Sequence, residues 1–297
     1  MRRGDHVVLN GALLPREEAH VSVDDLGFLV GDGVFETLRV YAGEPFLLAE
    51  HLARLSAALH TAGIEIPWTI AALATQARAV IATNDLGSGS GRMRITVTRG
   101  PGSPPASPRG EPTVLVTADP WEPPAVDTYA RGVEVETSRH LRSAHPWRQV
   151  KSTSYAPSLQ LRREASAPDV FEVLQWNDAG RLAEGSFTNV FVVDVAGTLR
   201  TPHPDDGCLE GVTRNAVLRL AAAQQIECRE GEVTRAVVAD AREMFLSGSL
   251  VEIVPVRRLD GSAIGAMCPG PLTRALHAAY RAMVARLAPR NDSSRVP

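Results

Sequence analysis

The hydrophobic pattern changes its period from two residues to about 3.6 within the first third of the chain. Residues 34–41 alternate between two faces of a predicted strand, Phe35, Thr37, Arg39 and Tyr41 on one and Val34, Glu36, Leu38 and Val40 on the other. Residues 50–62 instead carry an apolar stripe with helical spacing, and Gly63 follows as a C-cap. A chain that combines both periods is expected to fold as an α/β protein.

The remaining patterns predict two domains. Residues 1–118 combine predicted strands with a helical pair and form a small α+β domain. Residues 119–127 contain Pro120, Pro123 and Pro124 and are predicted to be the linker. Residues 128–297 alternate strands and helices, ending in a helix over 272–287, and form a larger α/β domain.

Composition excludes several classes of function. The chain is 44% apolar and 22% charged, the proportions of a globular protein in water. Its net charge of −3 provides no basic surface for nucleic acid, and no run approaches the roughly 18 apolar residues of a membrane span. The three cysteines match no zinc spacing, so we expect no metal and a reducing, cytoplasmic environment.

Lys151 is the only lysine among the 31 basic Lys and Arg residues, so the other 30 are arginines. Arginine stays protonated, whereas a desolvated lysine amine can lose its proton and attack a carbonyl. A single lysine in an arginine-rich chain therefore indicates a Schiff-base residue. The alternative interpretation is a lysine that simply survived composition drift on a surface loop.

An aldehyde cofactor such as pyridoxal phosphate would need a carboxylate for its pyridine nitrogen, a phosphate cradle and a nearby positive charge. The second half of the chain offers Glu184, the predicted helix start Gly211-Val212-Thr213 and the turn Ser247-Gly248-Ser249. Arg54, on the first helix, is one of many arginines that could supply the charge. Each feature alone is also explained as a solvated turn carboxylate, an ordinary N-cap or a β-turn.

Together these features resemble the class IV pyridoxal-phosphate family. The resemblance rests on an ordered set of short motifs: Gly31-Asp32-Gly33-Val34-Phe35-Glu36-Thr37, His51-Leu52-x-Arg54-Leu55, Lys151, Glu184-Gly185-Ser186-x-x-Asn189, Gly211-Val212-Thr213-Arg214 and Glu252-x-x-Pro255-Val256. That family includes branched-chain and D-amino-acid aminotransferases, (R)-selective amine transaminases and aminodeoxychorismate lyases. The resemblance implies a fold type IV enzyme with the cofactor between its two domains, usually in a homodimer.

The resemblance also implies roles for individual residues. Lys151 would be the Schiff-base lysine and the proton shuttle, and Glu184 would hold the pyridine nitrogen. The phosphate would be bound by Arg54, Val212, Thr213 and Ser249, and Leu209 would pack against the cofactor ring. Tyr155 would either contact the phenolic oxygen of the cofactor or simply pack beside Lys151.

The predicted substrate residues leave two reactions open. The family reads its substrate from the strand that carries Phe35, Thr37 and Arg39, and Phe-x-Thr-x-Arg resembles the lyases. Against the lyase, the loop over 99–111 lacks the compact Arg-Gly-x-Gly-x-Arg-Gly run. Arg99 or Arg109 could bind a substrate carboxylate with two hydrogen bonds, although a loop arginine is more often solvated.

The sequence analysis therefore predicts an aminotransferase that exchanges an amino group between an amino acid and a 2-oxo acid by a ping-pong mechanism. The close alternative is a 4-amino-4-deoxychorismate lyase that releases pyruvate. Two other classes stay open: a lysine-imine enzyme without a cofactor, which would leave Glu184 unexplained, and a non-catalytic relative that only binds a ligand or partner.

Overall fold

The computed structural model describes residues 4–104, 107–108, 110–143 and 145–288, and they form two compact units. The described residues of the first unit lie within Met1–Pro123, Val150–Tyr155 and Met283–Pro297. Those of the second lie within Pro124–Gln149 and Ala156–Ala282. Lys151 thus belongs to the first unit, although the chain reaches it from the second. The predicted linker over 119–127 stays a prediction.

The first unit is built on an antiparallel sheet in the strand order β2-β1-β8-β5-β3-β4. The long central strands pair in register, with Phe35 of β3 opposite Thr96 of β5. The strands of this unit are β1 (His6–Leu9), β2 (Ala12–Pro15), β3 (Gly33–Tyr41), β4 (Glu44–Pro45), β5 (Ser90–Thr98), β6 (Gly102–Ser103), β7 (Ser107–Pro108) and β8 (Thr113–Pro120).

The first unit also contains three helices before β5: α1 (Leu26–Val30), α2 (Leu48–Ala62) and α3 (Ile70–Thr83). The two longer ones confirm the predicted helical pair, and Thr69 caps α3 by accepting a hydrogen bond from the Ala72 N–H at 3.2 Å. Leu52 and Leu55 of α2 are buried in one core with Val34 and Leu38 of β3. The predicted apolar faces of the helix and the strand therefore form the core of this unit.

Helix α1 was not predicted from the sequence. Asp25 caps this five-residue helix by accepting a hydrogen bond from the Gly27 N–H, and Gly31 ends it in a left-handed conformation. The segment over 100–111, predicted to be a loop, also contains the short pair β6 and β7. Both elements are too short for hydrophobic periodicity to reveal.

The second unit contains a mixed sheet in the strand order β11-β10-β9-β16-β15-β12-β13-β14, with β17 paired to β16. Strand β9 runs parallel to both β10 and β16, whereas β15 is antiparallel to both of its neighbours. The strands are β9 (Val133–Thr137), β10 (Glu172–Trp176), β11 (Leu182–Gly185), β12 (Asn189–Val193), β13 (Leu199–Thr201), β14 (Cys228–Glu230), β15 (Glu243–Gly248), β16 (Glu252–Leu259) and β17 (Ser262–Ala263).

The later helices are α4 (Val126–Arg131), α5 (Ala156–Arg163), α6 (Val212–Ala223), α7 (Arg235–Ala239) and α8 (Pro271–Leu287). Helix α8 begins one residue before the predicted helix over 272–287, whereas α4 was not predicted from the sequence. The core of this unit includes Leu174, Val190, Leu246 and Val254, one from each of four sheet strands. Within the described part of the chain, no helix is both long and apolar enough to cross a bilayer.

Candidate active site

Main-chain hydrogen bonds attach the segment around Lys151 to the start of β3. The Phe35 N–H donates to the Lys151 carbonyl at 2.8 Å, and the Thr153 N–H donates to the Gly33 carbonyl at 2.9 Å. The Thr153 hydroxyl donates to the Gly31 carbonyl at 2.7 Å. Lys151 therefore lies beside the predicted substrate strand, although more than a hundred residues of sequence separate them.

The amine of Lys151 lies among aromatic rings. Its Nζ is 4.5 Å from the centre of the Phe35 ring and 5.8 Å from that of Tyr155. The two rings meet edge to face, with their centres 5.4 Å apart. Lys151 and Tyr155 are both half-buried. This surrounding partly removes the amine from water, which is the condition that favours a nucleophilic lysine.

Arg94 completes this group, which we call the lysine cluster (Lys151, Phe35, Tyr155 and Arg94). Its guanidinium carbon lies 3.6 Å from the centre of the Phe35 ring, and its Nε donates to the Thr96 hydroxyl at 3.0 Å. Burial lowers the pKa of Arg94. Arg94 was not predicted from the sequence, because its place beside Phe35 depends on the pairing of β3 with β5.

Arg54, the predicted phosphate ligand, is held by a buried carboxylate on β3. Its Nε and Nη2 each lie 2.7 Å from an oxygen of Glu36, a bidentate ion pair. The Nδ1 of His51 lies 2.7 Å from the same carboxylate. Glu36 and His51 are each 1% exposed, so the position of Arg54 is set by a rigid network.

The electrostatics of this network favour a charged Glu36 and a neutral His51. Burial opposes ionisation of Glu36, but its interactions with Arg54 and His51 together outweigh burial and lower the pKa to about 2. Burial lowers the pKa of His51 despite its contact with that carboxylate. Glu36 therefore keeps its charge, and its ion pair with Arg54, throughout the neutral range.

The other predicted substrate residues have separate surroundings. Thr37 is half-buried on β3, and Arg39 is buried, donating to the Ser90 hydroxyl at 3.1 Å and covering the Tyr41 ring. Arg99 makes a bidentate pair with Asp32 and donates to carbonyls at the end of α2. Arg109 lies outside the described residues.

In the second unit, Glu184 lies on β11 within a group that we call the carboxylate cluster (Glu184, Arg142, Leu209 and Asn189). Its Oε1 forms an ion pair with the Arg142 Nη2 at 2.6 Å. Its Oε2 accepts hydrogen bonds from the Leu209 N–H at 2.7 Å and the Asn189 side-chain amide at 3.4 Å. Glu184 is thus a buried, paired carboxylate and not a solvated turn residue.

Two residues that the sequence analysis did not single out shape the surroundings of Glu184. Arg142, one of thirty arginines in the chain, is only 7% exposed. Glu172 of β10 accepts hydrogen bonds from the N–H groups of Ser186 and Phe187 and from the Thr188 hydroxyl, which orders the turn after β11. Neither gives a signal in the sequence, because each depends on a partner elsewhere in the chain.

The predicted phosphate cradle combines the start of a helix with a nearby turn. Helix α6 begins at Val212, and its N-cap is Gly211, which has no side chain with which to cap the first N–H groups of the helix. Val212 and Thr213 are buried at this start. At the end of β15, the buried Ser247 hydroxyl has no hydrogen-bond partner among the described residues, and the half-buried Ser249 follows in the turn.

The family model described as amino-transferase class IV matches residues 33–259. The chain belongs to the class IV aminotransferase family. This result confirms the recognition from sequence motifs, and it identifies the chain as an enzyme of a pyridoxal-phosphate-dependent family that uses amino acid and keto acid substrates.

Relatives of this chain include enzymes named for each of the two reactions that the sequence left open. A D-alanine aminotransferase from Bacillus licheniformis is 30% identical over 277 residues, which cover 93% of this chain and 95% of that protein. An aminodeoxychorismate lyase from Bacillus subtilis is 28% identical over 277 residues, covering 93% of each chain.

A solved structure confirms the fold type IV architecture. The branched-chain amino acid aminotransferase of Escherichia coli matches with a TM-score of 0.89 and 28% identity. The match covers 98% of each chain. The α/β fold predicted from the sequence is therefore confirmed across almost the entire chain.

Proposed function

We propose that this class IV enzyme is a pyridoxal-phosphate-dependent aminotransferase that exchanges an amino group between an amino acid and a 2-oxo acid. The observation that carries the proposal is the lysine cluster. The only lysine of the chain has its amine 4.5 Å from the Phe35 ring, whose face also carries the Arg94 guanidinium. An amine for covalent attachment and a cation for a carboxylate thus both contact the ring of Phe35.

The residues present fit pyridoxal phosphate. The buried Ser247 hydroxyl without a partner among the described residues and the helix start without a side-chain cap are suited to a phosphate. We assign Lys151 to covalent attachment, Glu184 to the ring nitrogen and Leu209 to the ring face, with Arg54, Val212, Thr213 and Ser249 at the phosphate. When bound, the cofactor supplies an electron-withdrawing ring that stabilises a carbanion.

The chain itself supplies the proton transfer. The Nζ of Lys151 accepts and returns the substrate proton, and the rings of Phe35 and Tyr155 hold it in place and exclude water from one side. Glu36 fixes Arg54 with two hydrogen bonds of 2.7 Å, so that the cation is in position before any anion arrives.

Arg94 is the residue that we assign to the substrate carboxylate, in place of the predicted Arg99. Both guanidinium edges of Arg99 are occupied by Asp32 and by carbonyls. Among the described residues, the only hydrogen bond of the Arg94 side chain is the one from its Nε to Thr96. A planar guanidinium with two donors available matches a carboxylate, the group common to amino acids and 2-oxo acids. Thr37 and Arg39 keep their predicted role as substrate residues on the same face of the strand as Phe35.

The absorption spectrum of the purified protein loaded with pyridoxal phosphate tests the proposal. L-leucine, D-alanine and L-glutamate are added one at a time. A yellow band that bleaches with one donor, and returns with a 2-oxo acid, is the expected result. A protein that does not become yellow with the cofactor would contradict the assignment of Lys151, as would full activity in Lys151→Ala.

The lyase remains the second candidate, favoured by the Phe35-x-Thr37-x-Arg39 pattern and by the lyase among the relatives. A yellow protein that none of the donors bleaches, but that releases pyruvate from 4-amino-4-deoxychorismate, would establish it. The same spectra thus separate the two reactions.

We further propose a homodimer in a reducing cytoplasm. The exposed apolar side chains of Val23 and Phe28, each 75% exposed, support association. Cys208, Cys228 and Cys268 are free thiols, which suits a reducing compartment. Light scattering of the purified protein would measure the mass in solution, and a monomeric mass would contradict the dimer.

A further inference from the structure

Arg142 lies on the Glu184 carboxylate, the group assigned above to the ring nitrogen of the cofactor. Its Nη2 is 2.6 Å from the Glu184 Oε1, and both residues are at least nine-tenths buried. A pair this short and this dry interacts far more strongly than a surface ion pair. The charge and the orientation of Glu184 therefore cannot be understood without Arg142.

Contacts that do not involve Glu184 fix the position of Arg142. Its Nε donates to the Gly207 carbonyl, and its Nη1 lies 3.5 Å from the Gln175 Oε1. Its own main-chain N–H donates to the Trp176 carbonyl at 2.8 Å. The guanidinium is thus held by β10 and by the segment before Leu209, so it is a fixed cation that the carboxylate must meet.

The carboxylate is fixed from both of its oxygens. Arg142 takes Oε1, while the Leu209 N–H, at 2.7 Å, and the Asn189 amide take Oε2. These donors leave the carboxylate little freedom to rotate about its own axis. A carboxylate held in this way meets a ligand in a preset orientation, which lowers the entropy cost of binding.

We infer that Arg142 is a positioning residue for cofactor binding, acting through Glu184 by neutralising its carboxylate and fixing its plane. This inference rests on the proposed function. An ion pair that serves only stability would also be buried and short, so the test must separate the two roles.

A double-mutant cycle on the binding of pyridoxal phosphate to the apoenzyme makes that separation. The variants are Arg142→Met, Glu184→Gln and both together, with the dissociation constant measured by absorbance titration. Arg142→Met is expected to weaken binding by about tenfold or more, since it removes one partner of a buried charge pair. In the Glu184→Gln background, the same change should cost less than about threefold, because Arg142 has no carboxylate left to position.

Two further variants control for folding. Arg142→Lys keeps a cation near the carboxylate and should recover part of the affinity that Arg142→Met loses; if Arg142→Met does not fold, the cycle is run with Arg142→Lys. Arg200→Met breaks an arginine–carboxylate pair of the same 2.6 Å length, to Asp194, and should bind the cofactor as the wild type does. Thermal unfolding of each apoenzyme reports loss of stability separately.

The outcomes are distinct. Equal losses from Arg142→Met with and without Glu184 would overturn the inference, as would unchanged affinity in Arg142→Met while Glu184→Gln binds weakly. Normal affinity in Glu184→Gln would contradict the proposed role of Glu184 itself.

Discussion

Glu36 shows how one side chain can connect stability to pH. Its pKa falls from 4.5 to about 2 in the folded protein, because Arg54 and His51 together outweigh the cost of burial. A depressed carboxyl pKa stabilises the fold above the ordinary pKa, and that contribution is lost as the pH falls through the folded value. A shift of this size corresponds to roughly 3 kcal/mol at neutral pH.

We therefore predict that Glu36→Gln unfolds at a lower temperature than the wild type at pH 7, and that the difference shrinks as the pH falls from about 4.5 towards 2. Thermal unfolding of the apoenzymes across that range measures it. Glu227→Gln, which breaks the exposed pair with Arg229, is the matched control and should change little at any pH. A gap between Glu36→Gln and the wild type that stays constant down to about pH 2.5 would contradict the prediction.

Arg94 gives a second prediction at the scale of one residue. If its guanidinium binds the substrate carboxylate, Arg94→Met should raise KM for both the amino donor and the 2-oxo acid by about tenfold or more, the loss expected for a hydrogen bond to a charged group. Affinity for pyridoxal phosphate should stay within about twofold, because the change leaves the phosphate and ring contacts intact.

The control for Arg94 is Arg16→Met, which breaks a 2.6 Å ion pair with Asp119 in the same unit. Steady-state kinetics with both substrates and a cofactor titration are needed for each variant. Unchanged KM values in Arg94→Met would contradict the assignment of Arg94. The substrate carboxylate would then be assigned to another cation of the same sheet face, such as Arg39.

The sequence alone predicted the residues that stand out locally, either by their rarity or by interrupting an apolar segment. It did not predict residues that are distinguished only by contacts with distant parts of the chain. Lys151 is conspicuous because it is unique, and Glu184 because it interrupts an apolar strand pair. Arg94 and Arg142 are two arginines among thirty, and only strand pairing and burial distinguish them. A residue whose role depends on distant partners has no local signature.

At the scale of elements, the start of α6 depends on a glycine for space and not for backbone freedom. Gly211 has φ −71°, which any residue adopts, but a Cβ there would lie 2.0 Å from the Asn189 Oδ1. Asn189 donates to Glu184 and to the Leu209 carbonyl. An added methyl group would therefore push the Asn189 side chain away from Glu184.

We predict that Gly211→Ala lowers both the melting temperature and the affinity for pyridoxal phosphate, the latter by about tenfold, as for the loss of a hydrogen bond to a charged group. Gly87→Ala is the control, since a Cβ there meets nothing within 4 Å and the backbone is not in the left-handed region. Equal affinity in Gly211→Ala and the wild type would show that Asn189 can move without consequence.

The elements themselves were predictable wherever they were long. The strand over 34–41 and the helix over 50–62 appear as expected, because about eight or more residues are enough to show a period. The hairpin of β1 and β2 turns at Asn10-Gly11, where both residues adopt the positive φ that such a turn requires. The attachment of residues 150–155 to β3 was not predictable, since main-chain pairing leaves no pattern in side chains.

At the scale of the whole molecule, the near-absence of lysine is itself a tool. Lys151 is the only lysine in 297 residues, so it and the α-amino group are the only amines that can form a covalent bond with an aldehyde. Borohydride reduction of the enzyme loaded with pyridoxal phosphate makes such a bond permanent. Peptide mass mapping then identifies the attachment site without any assumption about activity.

The expected result is one reduced cofactor per chain on the peptide that contains Lys151, and none on Lys151→Arg, which keeps the charge but not the reactive amine. Modification of the α-amino group alone would show that the aldehyde reacts at random and that the lysine cluster does not activate Lys151. An unmodified chain with full transaminase activity would exclude covalent attachment altogether. Because the chain offers so few amines, the position of a single adduct decides which of them reacts with the cofactor. An adduct on Lys151 would show that the lysine held beside Phe35 by a main-chain hydrogen bond is the reactive one.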